Sequence, residues 1–104
     1  MSGQLDQGRI LVVDEAEASQ IHNKGFYGVP QSGGSLKLDL IEAIYLVESE
    51  RLEVFSEEDK MSASDLLRLA HKTSEGFEVL YLVYRELRQR GYVVKLGHRR
   101  EVYR

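Results

Sequence analysis

The chain's 104 residues, 42 % hydrophobic and 30 % charged, suffice for one compact domain, or for one domain and the beginning of another. The absence of cysteine excludes a disulfide framework, thiolate chemistry and a cysteine metal centre, and no apolar run approaches the roughly 20 residues needed to cross a bilayer. The net charge of −3 is unevenly spread, since Arg85–Arg104 carries +5 and leaves −8 on the first 84 residues. An acidic body with a basic end favours an anionic partner at that end, acting over a Debye length of about 8 Å. Charge alone suits a solvated helix face equally well.

In chain order, Met1–Gln7 is polar, carries no signal-peptide pattern and is expected to be frayed, with the cytoplasm as the default location. Arg9-Ile-Leu-Val-Val-Asp14 is a nearly continuous apolar run, read as a buried strand. Asp14 with Glu17 three residues on starts a helix through about Asn23, with Ala18 and Ile21 facing inward and His22 half-exposed rather than a ligand. Gly25–Gly34 reads as a short strand and a turn before a second strand at Ser35–Leu38. Its Gly33-Gly34 pair lacks the GxGxxG or GK[ST] context of a phosphate loop. Of Phe26 and Tyr27, one is expected to be buried and the other to sit on a rim.

Asp39 and Glu42 repeat the start signal ahead of Leu40, Ile41, Ile44, Tyr45 and Val47, the most apolar helix of the first half and the expected centre of the core. Leu52–Phe55 reads as a strand and Ser56–Lys60 as an acidic turn. Ser62 with Asp65 then caps a helix that ends near Lys72. After Gly76, a last helix carries an apolar stripe at Phe77, Leu80, Tyr81, Tyr84 and Leu87, with Arg85, Arg88 and Arg90 mostly off it. Gly91 stops that helix, and the pattern turns to alternation through Leu96. The order β-α-β-β-α-β-α-α-β-β predicts an α+β fold, a small and largely antiparallel sheet with helices packed on it.

The stretch Tyr81–Gly97, YLVYRELRQRGYVVKLG, resembles the hallmark segment of archaeal tRNA-intron splicing endonucleases, which reads roughly YxVYxDLRxRGYVVKxG and opens their catalytic domain. Gly8–Asp14, Gly25–Gly28 and Leu36–Val47 resemble that family's N-terminal domain in order and spacing. With the polar 1–7 disordered, the resemblance implies an N-terminal α+β domain over 8–75 and a helix-strand-strand stub of a second α/β domain over 76–104. It also implies cleavage of precursor tRNA at a bulge-helix-bulge without metal or cofactor. In that reaction a tyrosine, a histidine and a lysine drive ribose 2′-OH attack, giving a 2′,3′-cyclic phosphate and a 5′-OH.

Arg100-Glu-Val-Tyr103 loosely matches the family's DFRVY strand, which makes Tyr103 the candidate for the general-base tyrosine. The family's H-[SA]-x-Y-L-V histidine and V-R-K-like lysine have no counterpart here, and His98 precedes the tyrosine instead of following it. The resemblance therefore implies a structural, RNA-contacting part that is inactive alone. Its partners would be precursor tRNA and either a catalytic subunit or the missing C-terminal domain, with no membrane. Arg85, Arg88, Arg90, Lys95, Arg99 and Arg100 are the candidate RNA contacts. The alternative is a free-standing RNA-binding or protein-interaction module on the same fold.

Overall fold

Burial alternates residue by residue over Ser2–Asp6, Arg9–Val12 and Leu36–Asp39 in the computed structural model, which describes residues 1–96 and 102–103. Strands β1 (Ser2–Asp6) and β2 (Arg9–Val12) form a hairpin, and α1 (Glu15–Asn23) follows. Next come β3 (Val29–Pro30), β4 (Leu36–Asp39) and α2 (Leu40–Glu48), then a second hairpin of β5 (Glu53–Ser56) and β6 (Asp59–Met61). Helices α3 (Ala63–Thr73) and α4 (Phe77–Gln89) precede a short pair, β7 (Lys95–Leu96) and β8 (Val102–Tyr103). The main sheet runs β3-β4-β2-β1-β5-β6; its pairings are antiparallel except β1 with β5. This is the α+β class expected. None of the described helices is long and apolar enough to cross a membrane.

Register places Gly3, Leu5, Ile10, Val12, Leu36, Leu38 and Val54 on the covered sheet face, and all but half-buried Leu5 are buried. The opposite face carries the row Val29–Lys37–Leu11–Gln4–Phe55–Lys60. Local capping explains where the helices start. The Asp14 side chain accepts from the Glu17 N–H at 3.0 Å, and Ser62 and Asp65 bond each other's backbone N–H at 2.9 and 3.1 Å.

Two expectations about the sheet are corrected. Met1–Gln7 is not frayed, because Ser2–Asp6 lies inside the sheet between β2 and β5. No apolar alternation marks this strand; ladder hydrogen bonds to two neighbours hold it, and Gln7 and Gly8 (φ 50° and 78°) make the left-handed two-residue turn that suits a hairpin. Gly3 has no room for a side chain, since a Cβ there would lie 2.6 Å from Ile10 Cγ2. The acidic turn expected over Ser56–Lys60 is narrower, with Asp59–Met61 returning as an edge strand and Glu57 taking a φ of 57°.

Helix α4 shares one hydrophobic core with the sheet and α2: Phe77, Tyr81 and Tyr84 are buried in the same cluster as Ile10, Ile44 and Leu66. Its inward stripe differs from the one expected. Leu80 is 40 % exposed, and the buried positions run Phe77, Tyr81, Tyr84 and Arg88.

Candidate nucleic-acid interface

Arg88 occupies the place that a hydrophobe would take at the last turn of the α4 stripe. It is 7 % exposed. Its Nε donates to the Tyr84 hydroxyl at 3.1 Å, Nη1 to the Gly25 carbonyl at 2.7 Å and Nη2 to the Val94 carbonyl at 3.4 Å. The guanidinium also sits 4.0 Å from the centre of the Tyr27 ring. Delocalised charge, a planar fork of donors and weak hydration suit arginine to such a site. The expectation that Arg88 faces RNA is corrected: it ties α4 to the loop after α1.

Lys95 is engaged in the same way. Its Nζ donates to the carbonyl of Phe26, and to that of Gly28 at 3.1 Å. That loop is held from its other side by Glu42, which sequence reading treats only as a capping residue. One Glu42 carboxylate oxygen accepts from the Gly28 N–H at 2.8 Å and the other from the Asp39 N–H at 3.0 Å. Burial pushes the Glu42 carboxyl above the ordinary glutamate range, outweighing both hydrogen bonds and the nearby Lys95. Gly28 itself has a φ of 74°, and a Cβ there would meet the Lys37 carbonyl at 2.7 Å, so only glycine fits between α2 and β4. His22 donates through Nδ1 to the Tyr27 carbonyl at 3.0 Å, the half-exposed structural role expected of it. Tyr27 is buried and Phe26 is 55 % exposed.

Arg85 and Arg90 remain at the surface. Arg90 pairs with Glu86 at 2.9 Å, while Arg85 lies 3.9 Å from Glu48 and 5.8 Å from the Tyr81 ring centre. Arg99 and Arg100 lie outside the described residues. Tyr103 falls on β8, where the backbone register sets it opposite Lys95. Tyr81 and Tyr84 are poor general bases: burial first, and a neighbouring carboxylate second, push both phenols well above the usual tyrosine range. No cluster of potential metal ligands occurs among the described residues. Of the six basic candidates, the structure thus brings Arg88 and Lys95 together in a structural clasp and leaves Arg85 and Arg90 facing solvent.

Residues 1–67 match the family described as tRNA intron endonuclease, N-terminal domain. Relatives extend the likeness across nearly the whole chain. A tRNA-splicing endonuclease from Pyrococcus abyssi is 36 % identical over 104 residues, covering 96 % of this chain and 61 % of its own. One from Pyrococcus furiosus is 39 % identical with the same coverage. One from Methanococcoides burtonii is 39 % identical over 97 residues, covering 93 % of this chain and 27 % of its own. The chain therefore spans less than two thirds of the length of each of these relatives.

Proposed function

The chain belongs to the tRNA intron endonuclease family, and from that membership we propose that it is the part of a tRNA-splicing endonuclease that shapes the enzyme and contacts precursor tRNA. The observation that carries this is that 96 % of these residues align with 61 % of a named splicing endonuclease, so the likeness is to one continuous portion of such an enzyme. In this reading the N-terminal domain runs to residue 75 and takes in β1, and residues 76–104 begin the catalytic one. The family match to residues 1–67 supports the first half.

The exposed side of α4 supports the second. Val79, Leu82 and Val83, at i, i+3 and i+4 along one side of the helix, are 68 %, 53 % and 52 % exposed. Contiguous apolar surface of this kind marks a place where more protein packs. The remaining portion of the relatives' length is the natural cover, supplied by the same polypeptide or by a catalytic subunit.

Cleavage would run by attack of the 2′-OH on the adjacent phosphate, leaving a 2′,3′-cyclic phosphate and a 5′-OH. That reaction needs a base, an acid and a cation at the phosphate. Tyr103 is the one candidate here for the base, and neither the histidine nor the lysine of the family pattern stands in these residues. The 104 residues alone should therefore bind a bulge-helix-bulge precursor without cutting it. Cleavage should appear when the C-terminal portion of a relative is added in trans. Incubation with end-labelled precursor, with and without magnesium, reads both outcomes. Clean cutting by the chain alone to 5′-OH ends would overturn the assignment of roles, and failure to bind the precursor would overturn the RNA contact itself.

A further inference from the structure

We propose that the groove where the C-terminal ends of α1 and α2 meet is a nucleotide subsite. It takes one unpaired RNA base against its apolar floor and the adjoining phosphate at Lys24 and Arg51. The groove has a volume of about 250 Å³. Pockets for drug-sized ligands run from about 300 to 1,000 Å³, so this one suits a single base. Its floor is Ile21, Tyr27 and Leu46, all buried, and its rim is formed by Lys24, Arg51 and Met1, all exposed.

The rim is cationic in a body that is otherwise acidic. Most described arginines and lysines are committed to carboxylates or, like Arg88 and Lys95, to carbonyls. Lys24 and Arg51 have no carboxylate partner among the described residues, and both open onto this groove. Arg51 is also held in place: its guanidinium stands 5.7 Å from the Tyr27 ring centre and 5.6 Å from that of Tyr45. A guanidinium fixed beside an apolar floor offers a base a flat surface to lie against and a phosphate a charge to meet.

Two helix C-termini would ordinarily repel a phosphate. Here several carbonyls of the two last turns are already bonded, which weakens that repulsion. His22 O accepts from Phe26 N–H at 2.7 Å, Tyr45 O from Ser49 N–H at 3.0 Å and Leu46 O from Arg51 N–H at 2.9 Å. Glu50, the single carboxylate on the groove, repels a phosphate from its own side and leaves acceptors for a base amino group.

The inference rests on the RNA-contacting reading above, and its test separates the two. Adenosine 5′-monophosphate is titrated into the isotope-labelled chain and followed by NMR, with adenosine and inorganic phosphate as separate probes. The nucleotide should shift the Ile21, Tyr27 and Leu46 signals with a Kd of roughly 1 mM or tighter. Phosphate alone should shift mainly Lys24 and Arg51. Lys24→Gln alone should weaken the nucleotide severalfold while the thermal melt stays in place, and adding Arg51→Gln should bring the loss to about tenfold with only the small fall in the melt that its ring contacts account for. Gln20→Trp, which fills the groove from its exposed edge, should abolish the shifts. Shifts that are absent or lie elsewhere, or that phosphate reproduces in full, overturn the subsite. If the precursor binds but these variants leave its affinity unchanged, the subsite fails and the RNA reading stands. If the nucleotide binds here and the precursor does not, the RNA reading fails and the subsite stands.

Discussion

The guanidinium of Arg88 lies 4.0 Å from the centre of the Tyr27 ring and donates to the Gly25 carbonyl, so the last buried turn of α4 grips the loop that follows α1. Lys95 reaches the Phe26 and Gly28 carbonyls of the same loop, and Glu42 holds its Gly28 N–H from the far side. A basic residue near the chain's end thereby secures the first half of the molecule.

Replacing Arg88 therefore tests packing before it tests RNA. Arg88→Met keeps much of the volume but strands the Gly25 and Val94 carbonyls, which should cost about 2–4 kcal/mol in a urea melt. Arg88→Lys should recover less than half of that, because an ammonium cannot spread donors over three acceptors and a ring face. An unchanged melt for Arg88→Met would return Arg88 to the surface.

Arg88 is hard to see in the sequence for a physical reason. Between Leu87 and Gln89, in a run of arginines, it has the local surroundings of a solvated residue, and the groups that bury it come from Gly25 and Tyr27, far away along the chain. The available signal is positional: Phe77, Tyr81, Tyr84 and Arg88 follow helical spacing on one face. Caps at Asp14 and Ser62, the apolar α2 and the Gly91 stop are legible because each is set by neighbours within a few residues. Strand β1 is not, since Gly3 occupies its inward position and the partners that order Ser2–Asp6 lie in β2 and β5. Of the Lys24–Arg51 groove, sequence shows two ordinary surface cations. Only the meeting of two helix ends makes them neighbours.

Glu42 gives the fold a pH dependence of definite sign. Burial raises its folded-state pKa, so the native state holds the proton more tightly than the unfolded chain. Its contribution is full below the unfolded value of about 4.5 and is lost as pH rises through the folded value. Glu53 and Asp65 act in the opposite sense. Hydrogen bonds from Lys60 and from Ser62 lower their pKa values, so their contributions fade as the solution is acidified. The stability of the natural chain minus that of Glu42→Gln should fall as pH is raised from about 4.5 towards neutrality. A difference that grows over that range in denaturant melts would contradict the assignment.

Ile44 is fully buried at the middle of α2, beneath the sheet. Ile44→Ala should cost about 2–5 kcal/mol, as truncated core aliphatics do. A loss below about 0.5 kcal/mol, the size of an ordinary surface change, would mean that α2 does not anchor the core.

Gly3 and Gln4 separate a built-in β1 from a frayed one. Gly3→Val drives a branched side chain against Ile10 Cγ2 and should cost about 1–3 kcal/mol. Gln4→Val, on the open face opposite Leu11 and Phe55, should change stability by no more than about 0.5 kcal/mol. If both are neutral, the strand contributes nothing.

Arg85 and Arg90 are the two described members of the basic set that remain available to a ligand. Their ion pairs with Glu48 and Glu86 lie at the surface, where such pairs contribute about 0–1 kcal/mol, so the pairs compete only weakly with phosphate. The double substitution Arg85→Gln, Arg90→Gln should leave the melt in place, lower the affinity for precursor tRNA and flatten its dependence on salt, because a protein that neutralises fewer phosphates displaces fewer counterions on binding. Fluorescence anisotropy at several salt concentrations gives both the affinity and the slope. Because phosphate contacts position without specifying, the loss should be as large for an unrelated structured RNA as for the precursor. A fall in stability with unchanged RNA affinity would instead make this pair of arginines part of the acidic body's own charge balance.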